Sequence, residues 1–439
     1  MFKWSNVFSI PDPELVSDGS VDPMGMQLIW TYFGQLIFEN KLTTVSSDVR
    51  NYTVNLFNHF VLYRFFQERN EEFAQAQKHF SAYREVYDAK AGMLIFLEDL
   101  FVYALMDQSE DVNTLGLLGS NKAQEGLDRA QGNYGEIKIQ AERTKGVLVR
   151  QIQLGVNGRY KGPFMNMGLM TKNFEYAPKE FERVELLFAN WHEGNKLVNV
   201  LLDLLSGLLK SDNKEFPTVA LDKYRNYPTL WNLYARCFGQ VNLNTDLKNY
   251  WLDKLGVTSG AARSIFSEIH SLDEQPISSI ISAAYSSEKD ESQKELLQYI
   301  LDLEPFLSRC AHAFNLLANG SLKRLVDVEG DLQKLIDEYS FERILPLTLK
   351  NSRLKFLFDS VKDHGGKGLL FAEGILRYHK KIMEDRGGVA WVELDNDSLK
   401  HYLNLSSNVK TDEVVKGSYW YNRYYLDSVK SIYNGLNQN

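Results

Sequence analysis

Apolar residues recur at helical spacing through most of this chain, and that periodicity limits the possible folds more than any other feature. The stretch from Ala177 to Lys210 is an example, because its leucines, valines and phenylalanines return repeatedly to one side of a helix. Pro178 stands near the start of this stretch, where a helix does not need its missing N–H. Similar patterns precede residue 110 and follow residue 210. The sequence predicts a mainly α, multi-helical protein with a small β-rich insert.

Changes in composition divide the chain into three predicted segments. A chain of 439 residues is too long to fold around one hydrophobic core of ordinary size. Its content of 44% hydrophobic residues is enough to form more than one core. Residues 1–109 are predicted to form an N-terminal helical domain that opens with a turn-rich arm. Residues 110–173 are predicted to form a Gly-rich basic β insert. Residues 174–439 are predicted to form a C-terminal helical domain with a short strand near 389–394.

Overall charge and cysteine content restrict the partners and the compartment. The 49 basic and 57 acidic residues give a net charge of -8, which argues against coating nucleic acid or an anionic membrane with the whole surface. Any such contact has to be local. The two cysteines, Cys237 and Cys310, lie far apart in the sequence and outside any Cys-x-x-Cys pair, so neither a disulfide framework nor a cysteine zinc site is expected. Buried thiols in a reducing compartment are the simpler interpretation.

The first residues do not resemble a secretory signal. Pro11 and Pro13, each followed by an acidic residue, interrupt the apolar stretch that such a signal needs. The longest apolar run without charge, residues 24–38, has 15 residues. That is shorter than the roughly 20 residues a membrane-spanning helix needs. We therefore predict a cytoplasmic protein without a membrane partner, in which this run is a buried helix.

The segment 110–173 differs from the rest in its glycine content and its patterning. It contains ten of the 29 glycines, and its second half partly alternates apolar and polar residues as strands do. Asn157-Gly158 is a favoured pair for a tight hairpin turn, because both residues tolerate positive φ. The sequence predicts a β-hairpin here, with strands within 146–155 and 159–167.

Local positive charge marks the same segment as a candidate binding element. Between residues 138 and 172 there are seven basic residues and one acidic residue, inside a protein of net charge -8. On an exposed hairpin these cations would suit a phosphate backbone, with a tyrosine to stack on a base, or an acidic patch on a partner protein. Ordinary solubilising charge is the third interpretation. The candidate binding residues are Arg143, Lys145, Arg150, Arg159, Tyr160 and Lys161.

Sequence motifs for catalysis or cofactor binding are not evident. The chain has no Walker phosphate loop, dinucleotide fingerprint, paired-histidine zinc motif or nucleophile elbow, so we expect no cofactor and no metal. One nuclease-like arrangement remains: Asp128, Glu136 and Lys138 resemble the Asp and Glu-x-Lys that hold magnesium beside a lysine. The residues around Asp128 are polar where such a core needs an apolar strand, which favours a solvated strand face for Glu136 and Lys138.

A polar row on one predicted helix leaves two interpretations open. Asn51, Asn55 and His59 follow each other at intervals of four residues within an apolar helical pattern. Such a row lines a site or faces another subunit in some proteins. It consists of ordinary packed or solvated polar residues in most others.

Three regions carry a resemblance to known proteins: residues 17–38 with 48–62, residues 154–164, and residues 419–436. They resemble the uncharacterised helical accessory proteins that bacterial anti-phage defence operons carry beside motor ATPases or nucleases. The resemblance implies a non-motor subunit of a defence complex acting on foreign DNA, and it assigns no catalytic residue. We therefore expect a non-catalytic scaffold or adaptor subunit of a larger prokaryotic complex. It would contact a partner protein, such as an ATPase or nuclease, or nucleic acid. The alternative is a metal-dependent nuclease or other DNA-acting enzyme that uses Asp128, Glu136 and Lys138.

Overall fold

A computed structural model confirms the mainly α class. It describes residues 22–44, 48–79, 85–110, 112–140, 146–148, 150–173, 175–209, 218–225, 227–240, 243–322, 324–405 and 407–437. Within these ranges there are twenty-one α-helices and four short strands. The strands form two antiparallel sheets of two strands each.

The first half of the chain contains twelve helices and two strands within the described ranges. In chain order they are α1 (Gln27–Phe38), α2 (Val49–Glu68), α3 (Asn70–His79), α4 (Val86–Met106), α5 (Ser120–Ala130), β1 (Lys138–Gln140), α6 (Gln151–Leu154), α7 (Val156–Asn166), α8 (Pro178–Asn190), α9 (His192–Leu209), β2 (Thr218–Ala220), α10 (Leu221–Arg225), α11 (Pro228–Phe238) and α12 (Thr245–Lys254).

The second half continues with nine helices and a β-hairpin. They are α13 (Gly260–Glu268), α14 (Ile277–Ser287), α15 (Glu291–Leu317), α16 (Glu329–Ile336), α17 (Leu345–Thr348), α18 (Ser352–Val361), α19 (Gly368–Asp385), β3 (Val392–Asp395), β4 (Ser398–His401), α20 (Thr411–Val415) and α21 (Leu426–Asn437).

Internal packing groups the chain into two units. One unit consists of Met1–Glu39 with Val257–Leu426, and the other consists of Asn40–Gly256 with Asp427–Asn439. The predicted division at residues 109 and 173 stays a prediction. No helix in the described ranges is long and apolar enough to cross a membrane.

Helix α2 forms the centre of the second unit. Asp48 caps its N-terminus by accepting a hydrogen bond from the backbone N–H of Arg50 at 2.7 Å. From Val49 to Leu62 every residue of this helix is buried. It packs against α4, α7 and α9. Trp251 of α12 completes this core and donates its indole N–H to the hydroxyl of Thr53 at 2.9 Å.

A buried carboxylate organises the first unit. Glu304, on α15, accepts hydrogen bonds from the indole N–H of Trp30 at 2.7 Å and the hydroxyl of Tyr424 at 2.8 Å. It also accepts from the hydroxyl of Ser308 at 2.7 Å and the backbone N–H of Tyr421 at 3.0 Å. Since its side chain is fully buried, these donors replace the water it loses. Glu304 therefore fixes α1 and the loop before α21 on α15.

Several sequence predictions match the described elements. The apolar run 24–38 contains α1, whose inner side is buried. The long pattern after residue 177 is a helix broken once, at Trp191, between α8 and α9. The strand expected near 389–394 overlaps β3, which pairs with β4. Both cysteines are buried.

The predicted hairpin at Asn157-Gly158 is wrong. Residues 156–166 form the helix α7, and residues 151–154 form the single-turn helix α6, so neither predicted flanking strand exists there. Val156, Tyr160 and Phe164 are all buried and follow each other at intervals of four, which is a helical pattern. That spacing outweighed the turn preference of the Asn-Gly pair. In its described part, the β character of the segment consists of β1, which pairs with β2 from outside the segment, and of an isolated antiparallel bridge between Met170 and Tyr176.

We predict that Glu304→Ala lowers the free energy of unfolding by at least about 3 kcal/mol, because several buried donors lose their acceptor at once. Chemical denaturation followed by tryptophan fluorescence measures the change. Glu291→Ala is the matched control on the same helix, because the Glu291 side chain is 86% exposed. We expect it to cost less than about 1 kcal/mol. Equal effects of the two substitutions would contradict the role assigned to Glu304.

Candidate contact surface on a buried polar cluster

The inner side of α7 is anchored in the second unit by aromatic packing. The ring of Tyr160 meets that of Tyr52 edge to face, with 4.4 Å between centroids. The ring of Phe164 lies 6.0 Å from that of Trp251. Aromatic pairs in this arrangement add to the stabilisation from burial alone. The helix is therefore held firmly along one side.

The outer side of α7 faces solvent and has a cation at each edge. Because successive residues are 100° apart around a helix, Gly162, Met165 and Asn166 point away from the buried side, and all three are exposed. Arg159 and Lys161, both half-buried, flank this outer strip on opposite edges. We call the strip with its two flanking cations the outer face of α7.

A carboxylate from another helix fixes the start of α7. Gly155 occupies the N-cap position and has no side chain to accept a hydrogen bond. Instead, Glu98 of α4 accepts from the backbone N–H of Asn157 at 2.6 Å. Its second oxygen accepts from the side-chain amide of Gln151 at 2.7 Å. A negative charge at a helix N-terminus also interacts favourably with the helix dipole.

The side chain of Asn157 connects this cap to α2. Its carbonyl oxygen accepts a hydrogen bond from Nε2 of His59 at 2.9 Å. Burial lowers the pKa of His59 to about 4, with a smaller contribution from the positive charges of Lys161 and Lys90 and against the opposing effect of the Asn157 hydrogen bond. His59 is therefore neutral near pH 7, and α2, α4 and α7 meet at Asn157.

The polar row on α2 lies inside the unit. Asn51, Asn55 and His59 are each at most 3% exposed, which agrees with the interpretation of the row as ordinary packed polar residues. Asn51 donates to the carbonyl of Gly116 at 2.9 Å and accepts from the N–H of Leu118 at 3.2 Å. These hydrogen bonds fix the loop that precedes α5.

Some buried polar groups in and around this row have no hydrogen-bond partner in the part of the chain that the structure describes. The side-chain nitrogens of Asn55, Asn58 and Asn157 have no hydrogen-bond partner among the described residues. Each such buried group costs on the order of 1–3 kcal/mol unless something else satisfies it. The cluster around His59 and Asn157 is therefore less tightly specified than the aromatic core beside it.

Asp99 adds a second buried carboxyl next to Glu98. It accepts a hydrogen bond from the backbone N–H of Val147 at 3.0 Å. Burial raises the pKa of Glu98 to about 7 and that of Asp99 to about 8, and the charge of Glu98 contributes to the second shift. Sequence reasoning missed both residues. The available signal was an acidic pair, Glu98-Asp99, within the otherwise uncharged stretch 91–106 of α4.

The predicted binding residues have separate positions in the structure. Arg150 is exposed and precedes α6 in a left-handed conformation with φ of 59°. Arg159 donates to the carbonyl of Leu154 at 2.9 Å from its Nε. Tyr160 is fully buried, so it is not available to stack on a base. Arg143 and Lys145 lie outside the described residues.

The three residues of the nuclease-like pattern are exposed, and each hydrogen-bonds close by in the sequence. Asp128 accepts from the amide of Gln124 at 2.7 Å, and Glu136 accepts from that of Asn133 at 2.6 Å. The ammonium of Lys138 donates to the carbonyl of Gly135 at 2.6 Å. Within the described ranges no group of three or more His, Cys, Asp or Glu residues is placed to hold a metal ion.

Two surface grooves lie elsewhere. One of about 530 Å³ lies between α19 and the β3–β4 hairpin, where Lys380 forms an ion pair with Glu393 at 2.9 Å. Another of about 400 Å³ lies between α9 and α11, lined by Glu193, Lys196 and Arg236 among others. Neither groove contains a residue predicted from the sequence to bind or to catalyse.

Comparison with known protein families, curated proteins and solved structures finds no match to this chain.

We predict different effects of alanine at two glycines of this segment. A Cβ at Gly155 would lie 2.2 Å from the Glu98 carboxylate and 2.6 Å from the carbonyl oxygen of Gln151, whereas a Cβ at Gly162 meets nothing within 4 Å. Gly155→Ala should therefore destabilise the protein by about 2 kcal/mol through overpacking. Gly162→Ala should change the stability by less than about 1 kcal/mol, because the restriction that Pro163 places on the residue before it offsets the gain in helix propensity.

Denaturant titrations of the two variants and the wild type measure these changes. Circular dichroism of each native state is the control for a retained fold. Equal destabilisation by the two substitutions, or a neutral Gly155→Ala, would contradict the close approach of Glu98 to Gly155.

Proposed function

We propose that this protein is a non-catalytic scaffold or adaptor subunit of a larger prokaryotic complex, and that it binds an acidic surface of a partner protein through the outer face of α7. The observation that carries the proposal is the arrangement of Arg159 and Lys161 on opposite edges of an exposed helical strip. The inner side of the same helix is fixed by Tyr160, Phe164 and Asn157.

A firmly anchored helix suits protein recognition. Since α7 is already ordered by its buried side, a partner does not have to supply the free energy of ordering it. Gly162, in the middle of the strip, has open space above it, which lets a partner backbone approach closely. Met165 is 43% exposed beside it and offers a flexible apolar contact. Cations at both edges favour a partner whose facing surface is acidic.

The biological setting of the proposal comes from the sequence resemblance. Residues 17–38, 48–62, 154–164 and 419–436 resemble helical accessory proteins of bacterial anti-phage defence operons. We therefore propose that the complex belongs to such a system, in the cytoplasm, and that the partner is an ATPase or nuclease encoded by a neighbouring gene. Co-expression with the products of the adjacent genes, followed by affinity purification, identifies the partner.

We predict that Arg159→Glu with Lys161→Glu weakens binding to that partner by about ten- to hundredfold, since two attractive charges become repulsive. Lys122→Glu with Arg129→Glu is the matched control. These two cations are exposed on α5 in the same unit, and Arg129 also donates from Nε to a backbone carbonyl, at 3.1 Å. Both double variants change the net charge equally, so only a local effect separates them.

Isothermal titration calorimetry at two salt concentrations measures both variants. Equal loss of affinity in both would show that the overall charge, and not α7, controls binding. Titration with duplex DNA is included, because a phosphate-backbone contact weakens steeply as salt rises. Tight, salt-sensitive DNA binding without any protein partner would replace the adaptor proposal with a nucleic-acid one.

The enzymatic alternative has a separate test. If the protein were a metal-dependent nuclease, Glu136→Ala would abolish cleavage of DNA in the presence of Mg²⁺ or Mn²⁺. We expect the purified wild-type protein to leave DNA intact under these conditions. Cleavage by the wild type that is lost in Glu136→Ala would overturn the non-catalytic assignment, and Glu125→Ala, another exposed acid of the same unit, is the control for that loss.

A further inference from the structure

The groove between α19 and the β3–β4 hairpin has a helical wall and a strand wall, and its volume is about 530 Å³. The residues of the helical wall recur every three or four positions and therefore share one side of α19. They are Glu373, Leu376, Arg377 and Lys380. The strand wall consists of β3 with Lys400 and Tyr402. All of these residues belong to the first unit.

Both walls are fixed by contacts within that unit. Helix α19 packs closely on α18, since a Cβ at Gly374 would lie 2.3 Å from the carbonyl oxygen of Ser360. His379 of α19 is buried and accepts a hydrogen bond from the backbone N–H of Trp391 at 2.8 Å, which holds the start of β3 against the helix. The groove is therefore formed in advance, and a ligand does not have to order its walls.

One edge of β3 has no strand beside it within the described ranges. Because Asp395 pairs with Ser398 across a two-residue turn, Asp395 and Glu393 direct their backbone N–H and C=O groups towards β4. Val392 and Leu394 alternate with them and direct theirs away from β4. Val392 is 1% exposed, whereas Leu394 is partly exposed. The N–H and C=O of Leu394 are therefore the accessible pair at this edge.

The corresponding edge of β4 is partly covered. Leu325 donates its N–H to the carbonyl of Asp397 at 3.3 Å, and Arg324 forms an isolated antiparallel bridge with Ser398. No such bridge covers Leu394 in the part of the chain that the structure describes. A strand edge with unpaired backbone groups can pair with another extended segment.

Four of the charged residues in the groove neutralise one another. The carboxylates of β3 form ion pairs with the two lysines of the groove. The pairs are Lys380 with Glu393 at 2.9 Å and Lys400 with Asp395 at 2.5 Å. These residues therefore contribute little net charge towards a ligand.

The other two charges of the groove, Glu373 and Arg377, form no ion pair with any described residue. They lie one turn apart on α19 and are both exposed. The guanidinium of Arg377 also donates to the carbonyl of Ser360 at 2.7 Å, which holds it at the wall. The helical wall therefore presents one negative and one positive charge in fixed order.

We propose that this groove binds an extended peptide segment of a second partner protein, which pairs with β3 at Leu394 and carries one basic and one acidic side chain two residues apart. Side chains two residues apart on a strand lie on the same side, about 7 Å from each other. Glu373 and Arg377 are separated by about 6 Å along α19, so the spacings match. The backbone hydrogen bonds hold the segment, and the charges determine its register.

This interaction goes beyond the contact through α7 and does not depend on it. An adaptor needs a separate surface for each protein that it connects, and the groove and the outer face of α7 belong to different units. The variant Arg159→Glu with Lys161→Glu should therefore bind a groove peptide as the wild type does.

Fluorescence anisotropy with labelled synthetic peptides and the full chain tests the proposal. Each nine-residue peptide alternates serine and valine and carries lysine and aspartate at two successive serine positions, in either order. One order should bind at least about tenfold more tightly than the other order and than the peptide without charges, because Glu373 and Arg377 distinguish them. Absence of binding by both charged peptides at roughly 1 mM overturns the proposal.

Methylation of single backbone nitrogens in the better peptide tests the pairing with β3. Methylation of the amide that faces Leu394 should weaken binding by about tenfold, whereas methylation of the next amide, which points away, should weaken it by less than about threefold. The protein is unchanged in this experiment, so no result depends on the folding of a variant. Equal effects at all positions would exclude strand pairing.

Exchange of the two wall charges tests the register. Glu373→Lys with Arg377→Glu should reverse the preference between the two peptide orders. Lys381→Asp with Asp385→Lys is the matched control, because these residues have the same spacing on α19 and lie outside the groove. The control should keep the wild-type preference. An unchanged preference in the groove variant contradicts the proposal.

A second copy of this chain is the other occupant that the experiments can reveal. Leu394→Pro removes the N–H that points away from β4 without removing a hydrogen bond to β4. In sedimentation velocity, we expect the wild type and this variant to have the same oligomeric state. A wild-type dimer that becomes monomeric on this substitution would assign the edge of β3 to a second copy and overturn the peptide proposal.

Discussion

The hydrogen bond from the backbone N–H of Asn157 to the Glu98 carboxylate is the interaction on which the described surface depends. It determines where α7 begins, because the N-cap residue Gly155 cannot cap the helix itself. It also brings the side chain of Asn157 to His59, so one contact joins α2, α4 and α7. Glu98 supplies an acceptor in a place where water cannot reach, and without it an unsatisfied N–H would be buried at the start of the helix. The direction in which Arg159 and Lys161 point follows from this start.

In the first unit, too, a buried carboxylate accepts the hydrogen bonds of an irregular segment. Glu304 is fully buried on α15 and takes hydrogen bonds from an indole, two hydroxyls and backbone amides near residue 421. In both units a carboxylate inside a helical core holds an irregular part of the chain, and burial raises its pKa to about 7. Helix packing alone does not order such segments, because their backbone polar groups need partners that apolar side chains cannot provide.

The local sequence pattern is sufficient to predict most of the helices, but it is not sufficient to predict α7. The long helices α4, α15 and α19 contain many apolar residues at helical spacing, so their positions could be predicted from the sequence. At α7 the Asn157-Gly158 pair favours a turn, and the group that overrides it, Glu98, stands 59 residues earlier in the chain. No local rule connects the two. The helical spacing of Val156, Tyr160 and Phe164 was present in the sequence, as was the acidic pair inside α4. Either observation would have favoured a buried helix at residues 156–166. A buried helix there would have implied that Tyr160 is buried. The positive charge of the segment that contains α7 could be predicted from the sequence. Its distribution over the two edges of one helix could be seen only in the fold.

The central claim is that the outer face of α7 is covered when the protein joins its partner, and oxidative footprinting of Met165 tests it most directly. Met165 is 43% exposed on that face, and thioether oxidation depends strongly on access. Met167, two residues away, is 8% exposed and serves as the internal reference. We predict that oxidation of Met165 is rapid in the free protein and at least several-fold slower in the complex, while Met167 changes little. Equal oxidation of Met165 in the free and bound states would contradict the account.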